Sequence, residues 1–165
     1  MRIAGMSVAS IIFTTVVLVA LAALGARLTT IGPWYRALRK PSWQPPDYVF
    51  GPAWTLIFLL TGSSAVIAWN TARATSMQRR SVLVAFGVNA ILNSLWSYLF
   101  FTRRRPDWAL TEVSCFWVSI VALIVVVLPL SSSAAWLLAP YLTWVTFASV
   151  LNQRIVALNG PFTKP

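Results

Sequence analysis

Histidine is absent from this 165-residue chain, cysteine occurs once, as Cys115, and the acidic residues number three: Asp47, Asp107 and Glu112. Each shortage excludes something. Without imidazole the chain lacks the commonest general base, pH switch and nitrogen ligand for metals. A single cysteine forbids an intramolecular disulfide. Three scattered acids offer no acid–base pair, and no nucleophile stands beside a base, so ordinary hydrolytic or transfer chemistry has no visible machinery. No metal site and no obligatory cofactor is expected. Charge of either sign is also scarce: charged residues make up 10% of the chain, against about 25% in a soluble domain. That is too little polar surface to face water.

What the chain does have is apolar length. Hydrophobic residues make up 58% of it, gathered in five runs at about 7–28, 48–70, 81–102, 106–130 and 134–158. Each reaches the roughly 20 residues that cross a bilayer core as a helix. In lipid an unpaired backbone amide costs several kcal/mol, so each span must be helical. The predicted fold is therefore all-α, an integral membrane bundle of five transmembrane helices in one domain. Arg2, the apolar run and Ala20-Leu21-Ala22 also fit a cleaved signal peptide, but the run continues to Leu28, long for such a segment. No internal repeat is visible, and five spans provide no inverted halves of the kind many transporters use.

The net charge of +10 comes from basic residues placed between the apolar runs, where anionic lipid headgroups explain them. No basic stripe lies on a soluble surface, so nucleic acid is not an expected partner. Arg2, Arg73, Arg79 and Arg80 fall on one side of the membrane. Arg27, Arg36, Arg39, Lys40, Arg103, Arg104, Arg105, Arg154 and Lys164 fall on the other. The richer side is cytoplasmic by the positive-inside rule, which puts the N-terminus outside and the first loop and C-terminus in the cytoplasm. In an outer membrane the rule does not apply.

Prolines punctuate the ends. Pro106-Asp107 suits a helix first turn, and Pro140 should kink the fifth span or loosen its first turns. Pro33, Pro41, Pro45 and Pro46 make the first loop stiff and extended. Such a loop is either a cover for one mouth of the bundle or a plain connector.

Polar and aromatic residues recur at helical spacing. The third span carries Asn89, Asn93, Trp96 and Phe100 on one face. Two amides on one stripe point into the bundle, either as glue between helices or as the wall of a pocket. The fourth span repeats the pattern with Trp108, Glu112, Cys115 and Ser119. Glu112, placed within the span but barely a turn and a half inside the interface, is expected to be paired or hydrogen-bonded, with Arg103 to Arg105 near in the chain, or to serve a proton or ligand; Cys115 reads as a small apolar filler. The second span offers Phe50, Trp54 and Phe58, and the fifth Tyr141, Trp144, Ala148 and Asn152. Of nine tryptophans, Trp34, Trp69, Trp108 and Trp136 lie near span ends and fit an interfacial belt. Trp54, Trp96, Trp117 and Trp144 lie deeper, where packing and a slot for a planar ligand are equal readings. Ala22 with Ala26, and Ser64 with Ala68 and Ala72, suggest close helix approach.

The stretch WYRALRKPSWQPPDYVFGPAW, from Trp34 to Trp54, resembles the signature of the TspO/MBR family of tryptophan-rich sensory and translocator proteins. NSLWSYLFF from Asn93 and PYLTWVTFASVLN from Pro140 resemble the same family, in the same order. The resemblance spans about residues 34–158. It implies a five-helix bundle, often a homodimer, whose pocket opens toward the first loop and takes porphyrins such as protoporphyrin IX. It also implies, for some members, sterols and drug-like ligands, and in some bacterial ones light- and oxygen-dependent porphyrin breakdown. Carried over by motif, Trp54 and Trp144 correspond to the pocket tryptophans, and Tyr35, Trp43, Asn93, Trp96 and Ala148 to lining residues. Phe58 and Phe100 extend the aromatic faces read above. Propionates would meet Arg36, Arg39 or Lys40 at the mouth. Metal-free porphyrin suits such a site better than haem, since no imidazole is available for iron. The chain departs from the animal branch after Leu151-Asn152, where Gln153-Arg154-Ile155 lacks the tyrosine of a proposed sterol motif. A loose match to that motif exists at Leu95, Tyr98 and Arg103. The expectation is a tetrapyrrole-binding sensor or carrier, with a membrane adaptor or a lipophile or sterol transporter as the alternative.

Overall fold

Residues 2–3, 6–73 and 77–162 are described in the computed structural model. Five helices among them are long and apolar enough to cross a membrane. A two-residue antiparallel pair, β1 (Arg2–Ile3) with β2 (Met6–Ser7), precedes helix α1 (Val8–Leu28). The first loop contains a short helix α2 (Pro33–Ala37) and a 3₁₀ turn at Asp47–Val49, which leads into α3 (Phe50–Thr71). Helix α4 (Met77–Ser97) continues through a π-helical turn at Tyr98–Thr102. Then come α5 (Pro106–Val127), the short α6 (Ser132–Trp136) and α7 (Ala139–Asn159).

Three expectations are adjusted. The first loop is not extended throughout, because Pro33, with φ already set, starts a helical turn at α2. The third span begins at Met77 rather than Ser81, since Arg79 and Arg80 prolong the helix beyond its apolar part. Arg79 lies over the Trp69 ring at 4.9 Å, burying its stem as interfacial cations do. The last span is broken rather than kinked. Leu137 and Leu138 form a turn, and Pro140 sits in the first turn of α7, where its missing N–H is harmless.

Helix α5 is the axis of the bundle, packed between α4 and α7. Its inward face is Ala109, Val113, Phe116, Ile120 and Leu123. At one end, Leu123 and Val127 meet Ala68 and Leu138; in the middle, Phe116 and Ile120 meet Ile57, Tyr141 and Val145. At the loop end, Tyr35, Phe100, Ala109, Leu151 and Ile155 pack together. By contrast α1 is peripheral. Ile12, Phe13, Val16 and Val19 are exposed on its outer face, as suits a helix bathed in acyl chains. It is held to α3 by Ser7 N–H donating to Asn70 Oδ1 (2.8 Å) and Asn70 Nδ2 donating to Ser10 Oγ (2.8 Å). Deeper down, Gly62 of α3 leaves room for Leu18: a Cβ there would lie 2.3 Å from Leu18 Cδ1.

The predicted face of the fourth span is rotated. Glu112 and Ser119 are buried, but Cys115 and Trp108 are exposed, so Cys115 is not a core filler. Nor is Glu112 paired. Arg105 gives its Nε–H to Asp107 Oδ1 (2.8 Å) and its Nη2 to Oδ2, and both Glu112 oxygens are buried without a hydrogen-bond partner.

Candidate functional site

All five spans and the first loop surround one cavity of about 580 Å³, within the range of small-molecule sites. Its aromatic wall grows from periodicity. Along α3, Phe50, Trp54 and Phe58 recur every four residues and face inward, with Trp54 5.7 Å from Phe58 and edge-on to Tyr141 at 6.2 Å. From α7, Trp144 forms a T-shaped pair with Phe50 at 5.6 Å and lies 5.5 Å from Phe147. Trp96 and Phe100 are stacked at 5.2 Å. Beyond Ser97 the helix widens into the π turn, where Arg103 N–H reaches back to Tyr98 O (2.9 Å) and Arg105 N–H to Leu99 O (3.0 Å). Arg104 absorbs the exit with φ of 54°, a conformation that costs a non-glycine residue roughly 1–2 kcal/mol.

The structure brings together Tyr35, Trp54, Phe58, Asn93, Trp96, Phe100, Trp144 and Ala148, all in the cavity wall. Trp43 is left out: it is 44% exposed and meets Phe147 edge-on at 5.8 Å. Arg36, Arg39 and Lys40 are also outside the wall. Arg36 and Arg39 are exposed, and Arg39's backbone is tied to the end of α7, its N–H donating to Asn159 Oδ1 and its carbonyl accepting from Asn159 Nδ2 (2.8 Å each). That clasp, with buried Tyr35 5.6 Å from Phe101, holds the loop over the mouth.

The two amides of the α4 stripe divide the two roles. Asn89 is glue, donating to Ser119 Oγ (2.8 Å) and accepting from the Tyr141 hydroxyl (3.0 Å). Asn93 donates to the same hydroxyl (3.1 Å) and also lines the cavity. Asn152, in the amide orientation that satisfies both its ends, bridges Pro106 O and Leu110 N–H (3.1 Å each), fastening α7 to α5. Trp117 faces outward and donates to Thr146 Oγ1 (2.8 Å), so packing accounts for it. Ala22 and Ala26 line the cavity; their small side chains leave space for contents as well as for a neighbour.

Sequence reasoning missed Asp47 as a wall residue, along with Tyr48 and Gly51. Extending the Trp54–Phe58 stripe back one turn reaches Gly51 and back two turns Asp47, so the spacing held the signal. At the mouth, the Tyr35 hydroxyl donates to Asp47 Oδ1 (3.2 Å) and accepts from Gln44 Nε2 (3.3 Å). Burial, then the neighbouring Asp47 charge and its hydrogen bond, push Tyr35 up to about 12. A folded-state value above the ordinary 10 means that this contact's contribution to stability is complete below about pH 10 and is lost as pH rises through about 12. A tyrosinate absorbance titration of wild type against Tyr35→Phe should differ by one component near pH 12. A difference centred near 10 would refute the buried contact.

Five membrane-crossing helices around an aromatic hollow, capped by a proline-rich loop, define an integral membrane protein with a ligand-sized internal cavity. Residues 13–158 match the TspO/MBR family, and the chain belongs to that family. It is similar to the tryptophan-rich protein TspO of Chlorobaculum tepidum, 37% identical over 126 residues, covering 76% of this chain and 79% of that one. It resembles the tryptophan-rich sensory protein of Cereibacter sphaeroides at 34% over 145 residues, 84% and 88% of the two chains. Against the translocator protein of Homo sapiens the identity is 33% over 122 residues, 74% and 72% of each.

Proposed function

We propose that this protein is a membrane-embedded sensor or carrier of planar hydrophobic ligands, with a tetrapyrrole such as protoporphyrin IX as the ligand. One observation carries the reading: Trp54, Trp144 and the Trp96–Phe100 stack face a single cavity of about 580 Å³. Indole faces stack on a flat macrocycle. The shape favours this over the adaptor reading, in which the deep tryptophans only pack against one another. Family membership and the sensory and translocator names of its relatives support it. Assembly as a homodimer, with the N-terminus outside and the first loop cytoplasmic, belongs to the same reading.

Titration of purified, detergent-solubilised protein with protoporphyrin IX and, separately, with cholesterol tests it. Saturable quenching of tryptophan fluorescence by the porphyrin at a ratio of one per chain is expected, with a weaker response to the sterol. Saturation by sterol alone would move the assignment to the lipophile-transporter alternative.

A further inference from the structure

The cavity wall contains one charged side chain among the described residues, and it is an acid. Asp47 lines the mouth, while Arg36, Arg39 and Lys40 do not enter the wall. Lys40 approaches Asp47 from outside, its Nζ 3.8 Å from Oδ1 and 3.7 Å above the centre of the Tyr35 ring. A bound molecule therefore meets carboxylate first and the cation only behind it. Gln44 turns its Nε2 toward the Tyr35 hydroxyl and Asp47 Oδ1 (3.5 Å), which leaves its Oε1 buried with no partner. A carboxylate in the wall suits an N–H donor or a cation and opposes an anion.

We infer that Asp47 is a specificity-determining residue that makes the inner mouth select flat aromatic ligands whose rim-facing polar groups are neutral donors or cations. Carboxylates are forced to project past the rim toward Arg36 and Arg39. Lys40 tempers this selection by neutralising part of the Asp47 charge. The inference rests on the cavity being the site of a planar ligand, and it adds which end chemistry that ligand carries inward.

Three compounds on one macrocycle separate charge from shape: protoporphyrin IX with two carboxylates, its neutral dimethyl ester, and its diamide with ethylenediamine, which bears two ammonium groups. Asp47→Asn should tighten the dicarboxylate roughly tenfold and weaken the diammonium compound by a similar factor. A tenfold change is the size expected for one charge about 4 Å away where the dielectric approaches that of water, as at an open mouth. The ester should stay within about twofold. Lys40→Met, which leaves Asp47 in place, should do the opposite to the dicarboxylate. A uniform change across all three compounds, or none, would overturn the inference while leaving the planar-ligand site intact. Failure of all three to bind wild-type protein would remove both.

Discussion

Replacing Trp54 and Trp144 together by alanine is expected to raise the Kd for protoporphyrin IX about thirtyfold to a hundredfold. Each indole lines the cavity from a different helix, α3 and α7. An aromatic contact contributes about 0.5–1.5 kcal/mol beyond the apolar area it covers, and the lost area adds at about 25 cal/mol per Å². Two such losses sum to about 2–3 kcal/mol, hence the predicted range. The double phenylalanine variant keeps a ring at each position and should lose several-fold only. Binding is followed by the porphyrin's own absorbance, because the variants lose two of the nine tryptophans and their quenching is not comparable with that of wild type. Trp136→Ala is the control: that side chain is 75% exposed on the outside and should leave Kd unchanged. An unaltered Kd in the double alanine variant, with helical content preserved, would remove these residues from the site.

Tyr141→Phe is expected to destabilise the bundle by about 1–2 kcal/mol, lowering the apparent melting temperature by about 2–8 °C. The hydroxyl is the knot of a buried relay. It accepts from Asn93 Nδ2 and donates to Asn89 Oδ1, while Asn89 donates to Ser119 Oγ, which donates to Phe116 O (2.7 Å). The relay joins α4, α5 and α7. Removing the hydroxyl leaves the Asn89 acceptor unpaired where neither water nor lipid can replace the donor. Asn89→Leu in the Tyr141→Phe background should then cost less than in wild type, because the acceptor has already lost its partner. Strict additivity of the two changes would show that the relay is not one unit. Ligand affinity should change little if Asn93 keeps its place in the wall, which separates this prediction from the first.

The helices were legible because their signals are local. The α4 stripe of Asn89, Asn93, Trp96 and Phe100 points inward as its spacing predicts, since two amides and a buried ring identify the inner face even in an apolar sequence. The α5 stripe misled for a physical reason. In lipid the outer face is as apolar as the core, so hydropathy does not mark which side is which, and the true inner face lies nearly a quarter-turn away, through Ala109, Val113 and Phe116. Glu112 was expected to find an arginine from nearness in the chain, but Arg105 closes on Asp107, two residues along, instead. The mouth was the least legible part. Lys40 was expected to meet propionates, and Gln44 and Asp47 were given no role; their grouping around Tyr35 depends on α2 turning that ring under the loop.

By itself the sequence determined the membrane solvent, the five helices and the aromatic spacing along α3, α4 and α7, because each follows from composition and from a period of 3.6 residues. It also carried the three motifs by which the family is known. The tertiary structure alone decided that those faces share one hollow, that the wall's charge is Asp47 and that the basic residues stay outside it. Those are relations between residues far apart in the chain, set by helix rotation and loop closure, and no local period encodes either.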